Sequence, residues 1–130
     1  MYSLLANHRW RPYDGYMQLE NAGLAYVEQE KVTGYLLSPE HRYGAHKAKF
    51  FGEFGFRADA WHVLAQALRD HGQQHAVAGM KHTDFGTRYE VDGTLETPTG
   101  QRPRIRTVWQ IDLGEKAPRL ITAYPLERVT

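Results

Sequence analysis

Residues 103–113, PRIRTVWQIDL, alternate: Ile105, Trp109, Ile111 and Leu113 take one side and Arg104, Arg106 and Gln110 the other. A period of two over that length marks a β-strand with one packed and one wet face. Working outward, TRYEVDGTL (87–95) sets Tyr89, Val91 and Leu95 against Arg88, Glu90 and Asp92, and AVAGMKHT (76–83) reads as a more modest strand. RLITAYPL (119–126) supplies a fourth. The links between them are short and rich in turn residues, Asp84 to Gly86, Thr97 to Gly100 and Gly114 to Pro118. Such links favour an antiparallel meander, because parallel crossovers need a dozen or more residues.

Upstream the period changes. Trp61, Leu64, Ala65 and Leu68 follow the i, i+3, i+4, i+7 rule of a core-facing helix, with Gly72 as its expected end. EKVTGYLL (30–37) has helical spacing at Val32, Tyr35 and Leu36, and LAYVEQ (24–29) reads as a short strand. In SPEH (38–41), Ser38 and Pro39 offer a cap and first position for a further helix, although Gly44 delays its regular part to about Tyr43. Gly55 is its expected stop. The expected architecture is α+β: two or three N-terminal helices packed on one face of a four-stranded antiparallel sheet. Residues 1–18 carry no periodicity and read as an extended lead-in or linker, with a single domain over 19–130.

The chain's 130 residues suffice for one core. With no cysteine there is no disulfide framework, cysteine nucleophile or thiolate metal site, which fits a reducing cytoplasm. Sixteen basic residues nearly balance fifteen acidic ones, so no global field points to nucleic acid or membrane. No apolar run approaches the roughly 20 residues of a membrane helix, and the first fifteen residues lack a signal peptide's apolar centre. No H-E-x-x-H, calcium loop, phosphate loop or G-x-S-x-G elbow occurs, so neither a metal nor a cofactor is expected.

What remains is His, Lys, Arg, Thr and Tyr, which suit proton transfer at a phosphate. A ribonuclease that uses no metal takes the 2′-hydroxyl of RNA as nucleophile and supplies a base, a cation for the phosphorane and an acid. His46 and Lys47 sit at the start of the helix near Tyr43, His46 at the border between core and solvent. Arg106 faces away from the Trp109 side of its strand, where a cross-strand carboxylate such as Glu90 is its ordinary partner. Thr122 and Tyr124 share one face of the last strand.

The pattern YLLSPEH-x-x-G-x-HKA-x-x-F-x-x-x-GF, then G-T-x-Y-x-V-x-G-x-L, VW-x-I and TAYP, resembles a family of small bacterial domains that occur alone or at the ends of larger proteins. The resemblance runs from about Leu19 to Pro125. The family's usual GRHKA is GAHKA here, with Ala45 in place of the arginine. Its layout is similar to that of the barnase, EndoU, colicin and RelE ribonucleases, often met as toxins.

The metal-free polar set, the helix-then-sheet order and the small size point to a metal-independent endoribonuclease-like toxin domain acting on RNA by His-mediated acid/base catalysis, with His46 as general base or acid, Lys47 and Arg106 holding the phosphate, and Thr122 and Tyr124 completing the site. Of these, Arg106 enters on facing geometry alone. An immunity or antitoxin protein is the partner implied, with the cytoplasm as the site of action and delivery as part of a larger protein. The alternatives are a non-enzymatic protein- or nucleic-acid-binding module and an enzyme acting on a nucleotide such as NAD.

Overall fold

The computed structural model describes residues 9–13 and 15–126; residues 1–8, Asp14 and 127–130 lie outside the described residues. The α+β expectation holds, with one strand more than the alternation showed. Strands β1 (Arg11–Pro12), β2 (Val77–Thr83), β3 (Gly86–Thr94), β4 (Arg104–Asp112) and β5 (Arg119–Pro125) form one sheet in the order β1-β2-β3-β4-β5, every neighbour antiparallel. Strand β1 falls in the expected lead-in. Two residues cannot show a period, and Pro12, which has no N–H to donate, belongs on an edge.

The helices are α1 (Gln29–Lys31), which runs on into a π-helical turn over Val32–Leu36, then α2 (Ala45–Glu53) and α3 (Trp61–Gln74). The register defines two faces. Met80, Tyr89, Trp109 and Leu120 lie across four strands in one rung, and Val91, Thr107 and Ala123 in the next. Apolar residues of these rungs join Leu64, Ala65 and Leu68 of α3 in the core with Leu36 and Phe51. Leu36, Phe51, Leu64 and Leu68 are fully buried, so truncating any leucine among them costs about 2–5 kcal/mol. The opposite face carries Glu90, Val108 and Thr122 in one rung and Asp92, Arg106 and Tyr124 in another.

Four local readings need correction. Helix α3 runs two residues past Gly72, which is needed for close approach: a Cβ there would lie 2.7 Å from Cζ2 of Trp109. Leu113 belongs to the turn after β4, 72% exposed, because the strand ends at Asp112. The stretch 24–29 forms no strand; Tyr26 makes a single parallel bridge to Arg119 at the rim of β5. Finally, Ser38 and Pro39 do not open α2, whose N-cap is Gly44. Among the described residues no helix is long and apolar enough to cross a membrane.

Candidate functional site

The π-helical turn lies beside β5, and Tyr35 reaches from it to Thr122, phenol and hydroxyl oxygens 3.1 Å apart. Thr122 gains its place through a bulge. Val108 pairs with Thr122 but Trp109 pairs with Leu120, so Ile121 is the extra residue and lines the same pocket as Thr122. Gly44 brings the third element in. Any Cβ there would strike the backbone carbonyl of Tyr35, so only glycine lets the start of α2 press against the π-helical turn. Lys47, three residues on, then sets its Nζ 5.2 Å from the Tyr35 ring centroid, with the Lys31 Nζ at 5.3 Å.

Burial pushes the Tyr35 phenol up, but hydrogen bonds with Lys47 and Thr122 and the charges of Lys47 and Lys31 outweigh it, leaving the pKa below the ordinary 10. His41 packs edge-on against Tyr35, centroids 4.8 Å apart. Its Nδ1 accepts the backbone N–H groups of Tyr43 and Gly44, both at 3.0 Å, so the ring's proton sits on Nε2. Tyr35, His41, Thr122 and Lys31 line an open pocket of about 690 Å³ together with Glu28, Glu30 and Tyr43. Two carboxylates thus share the pocket with its cations, and its charge is mixed rather than basic.

The five residues singled out from sequence divide among three places. Lys47 and Thr122 meet at Tyr35. His46 is exposed on the first turn of α2, outside the residues lining the pocket. Arg106 and Tyr124 lie across from one another, but Arg106 is held by carboxylates. Its Nε and Nη2 form a fork with Asp92 at 2.7 and 2.9 Å, and Nη1 donates to Glu90 at 2.6 Å. The hydrogen bonds with Asp92 raise the guanidinium pKa further, against burial, and Tyr124 adds another. Glu90 is raised too: its burial outweighs the attraction of Arg106, and Asp92 pushes the same way. The guanidinium is therefore occupied where it stands. Arg119 forks onto Asp112 nearby, and that carboxylate also accepts from the buried Gln110.

Sequence reasoning missed Tyr35, Lys31 and His41 as a group. Tyr35 fitted a helical core pattern, and only the π-helical turn and the Gly44 contact reveal its polar end. It also missed His71, buried on α3 behind the sheet. Thr107 Oγ1 accepts from Trp109 Nε1 at 2.8 Å and donates to His71 Nδ1 at 2.9 Å, while His71 Nε2 donates to the carbonyls of Gly93 and Ile105. Burial drives the His71 pKa down to about 4; the two carbonyls and Asp92 oppose the shift and His75 adds to it. Among the described residues no three His, Asp or Glu side chains are grouped to hold a metal ion.

No curated protein matches the chain. One chain of a solved "Contact-dependent growth inhibition toxin - immunity protein complex from Klebsiella pneumoniae 342" is similar in fold. Its TM-score is 0.65 over 82% of this chain and 97% of that one, at 13% sequence identity. At that identity the likeness establishes the shared fold and nothing finer. Residues 18–127 match a family described as a domain of unknown function (DUF6883), and the chain belongs to that family.

Proposed function

We propose that the chain is a toxin-type domain that cleaves RNA phosphodiesters without a metal ion, at the pocket around Tyr35. The observation that carries this reading is a phenol of lowered pKa that lines a pocket with Lys31 and Thr122 and has Lys47 beside its ring. The fold likeness to one chain of a toxin–immunity complex supports it.

The chemistry balances with those groups. The Tyr35 phenolate takes the proton of the RNA 2′-hydroxyl as its oxygen attacks phosphorus. Lys31 and Lys47 offset the phosphorane charge, and Thr122 fixes the phenol. The leaving 5′-oxygen takes its proton from the Lys47 ammonium. The products are a 2′,3′-cyclic phosphate and a free 5′-hydroxyl, and proton transfer from Tyr35 to Lys47, whose Nζ lies 5.2 Å from the ring centroid, restores the starting state. RNA as substrate makes the cytoplasm the site of action, with delivery as part of a larger protein. An immunity protein seated over this pocket would block it.

The test is incubation of pure protein with total RNA in the presence of a chelator. Cleavage is expected, with Lys47→Ala and Tyr35→Phe each losing about 100-fold or more, the scale of a positioned proton-transfer group. His46→Ala and Arg106→Met enter as separate arms. If His46→Ala alone abolishes cleavage in a folded protein, the proton-transfer role moves from Tyr35 to His46.

A second reading is a non-enzymatic binding module of the immunity type, since the complex of similar fold contains both kinds of protein. Near-zero net charge favours it, because sequence-independent nucleic-acid affinity comes from cations that neutralise phosphates. Intact RNA after incubation, with binding to a protein partner that is flat across salt, would establish it instead.

A further inference from the structure

Tyr43 stands in the turn before α2, 68% exposed, at the rim of the pocket that Tyr35 and Thr122 line. Its surroundings orient it. The Arg42 guanidinium lies 5.4 Å from the ring centroid and the His41 ring 6.2 Å away, tilted by 55°. The backbone N–H of Tyr43 is held by His41 Nδ1, which also packs on Tyr35. The platform and the phenol are thus tied through one imidazole.

A ring with a cation beside it, next to ammonium groups that suit a phosphate, matches the make-up of a nucleotide: a flat π-face joined to an anion. We infer that Tyr43 is a stacking platform for an unpaired nucleobase next to the phosphate held at Tyr35, so the pocket selects single-stranded over duplex RNA. Bases within a duplex are already stacked on their neighbours and cannot offer a face, whereas an aromatic side chain accepts any unstacked base regardless of identity. Arg42 strengthens the platform by covering the tyrosine and drawing the flanking phosphate. The exposed ring of Trp10 has the Lys81 Nζ 5.8 Å from its centroid, but neither it nor Tyr16 lines any of the pockets described.

This inference rests on the ribonuclease reading, and binding and cleavage are therefore measured separately. The binding probe is a fluorescein-labelled single-stranded oligonucleotide with 2′-O-methyl riboses, which carries bases and phosphates but no attacking hydroxyl. Tyr43→Ala should weaken its binding by about 10-fold, and Tyr43→Trp should keep or improve it. The annealed duplex of the same sequence should bind more weakly and equally to wild type and Tyr43→Ala. Unchanged urea midpoints, expected for so exposed a side chain, show that the variants are folded.

On unmodified RNA, Tyr43→Ala should raise KM with little change in kcat, whereas Lys47→Ala should lower kcat. Wild-type affinity in Tyr43→Ala, with RNA still cleaved, overturns the stacking platform and leaves the ribonuclease reading standing. Neither binding nor cleavage of any RNA overturns both.

Discussion

Acidification should expose His71. Its neutral ring is fixed at both nitrogens, donating from Nε2 to Gly93 and Ile105 and accepting at Nδ1 from Thr107, at 2% exposure. Protonation would put a charge in the core and turn Nδ1 into a donor facing a hydroxyl that already accepts from Trp109. Burial, the dominant cause, lowers the folded pKa from 6.5 to about 4. Between those two values the unfolded chain carries the proton and the folded chain does not, so unfolding takes up a proton. The contribution is full above pH 6.5, falls as the pH drops and is gone once the pH has passed below about 4. At about 1.4 kcal/mol per pH unit it amounts to about 3 kcal/mol, a substantial fraction of a small domain's stability.

Urea unfolding at half-unit steps from pH 7.5 to 3.5 measures it. With a slope of about 2 kcal/mol/M, the midpoint should fall by roughly 1.5 M across the window. Other groups titrate over the same range, so the comparison that isolates His71 is with His71→Gln, which keeps an amide donor and acceptor without a titrating ring. The variant should be less stable than wild type at pH 7 by about 1–3 kcal/mol, and the two curves should converge as the pH falls and meet or cross by about pH 4. Parallel curves from pH 6.5 to 4 would refute the reasoning, because they would mean that His71 titrates alike in both states.

Two further outcomes follow from packing and pairing. Gly72→Ala drives a methyl to within 2.7 Å of Trp109 Cζ2, and thermal unfolding should show a loss of about 1–3 kcal/mol, with a near-ultraviolet circular dichroism change as the indole shifts. Arg106→Met leaves Glu90 and Asp92 facing each other without their cation. It should cost about 2 kcal/mol at pH 7 in urea unfolding and less as the pH falls, because Glu90, already raised by burial, takes up a proton more readily once its cation is gone.

The sheet was legible because β3 and β4 alternate, and hairpin links fix a meander once the strands are known. Helix α3 was legible for the same reason at a period of 3.6. What escaped were features whose signal is a contact rather than a period. Strand β1 is too short to alternate. Gly72 read as a stop because glycine ends helices more often than it admits an indole. Lys47 and Thr122 stood out in the sequence, yet their meeting point, Tyr35, did not, because the π-helical turn and the bulge at Ile121 displace side chains from where ideal periods put them. His46, next to Lys47 in sequence, points elsewhere because successive residues of a helix are about 100° apart.

Arg106 and Lys47 are both cations near β5, yet their surroundings assign them different work. A guanidinium forked onto Asp92 and bonded to Glu90 ties β3 to β4 at the rung that carries Tyr124. To serve an incoming phosphate it would have to release carboxylates that would then be left partly buried and unpaired. Lys47 leans on a half-buried phenol beside an open pocket, with no carboxylate in an ion pair with it among the described residues, so a phosphate there has no carboxylate of Lys47 to displace. The sheet face with the greater density of charge is therefore the scaffold. By holding β3, β4 and β5 in register it keeps Thr122 opposite Val108 and within reach of Tyr35, and the sparser cluster at the edge is where a ligand can bind.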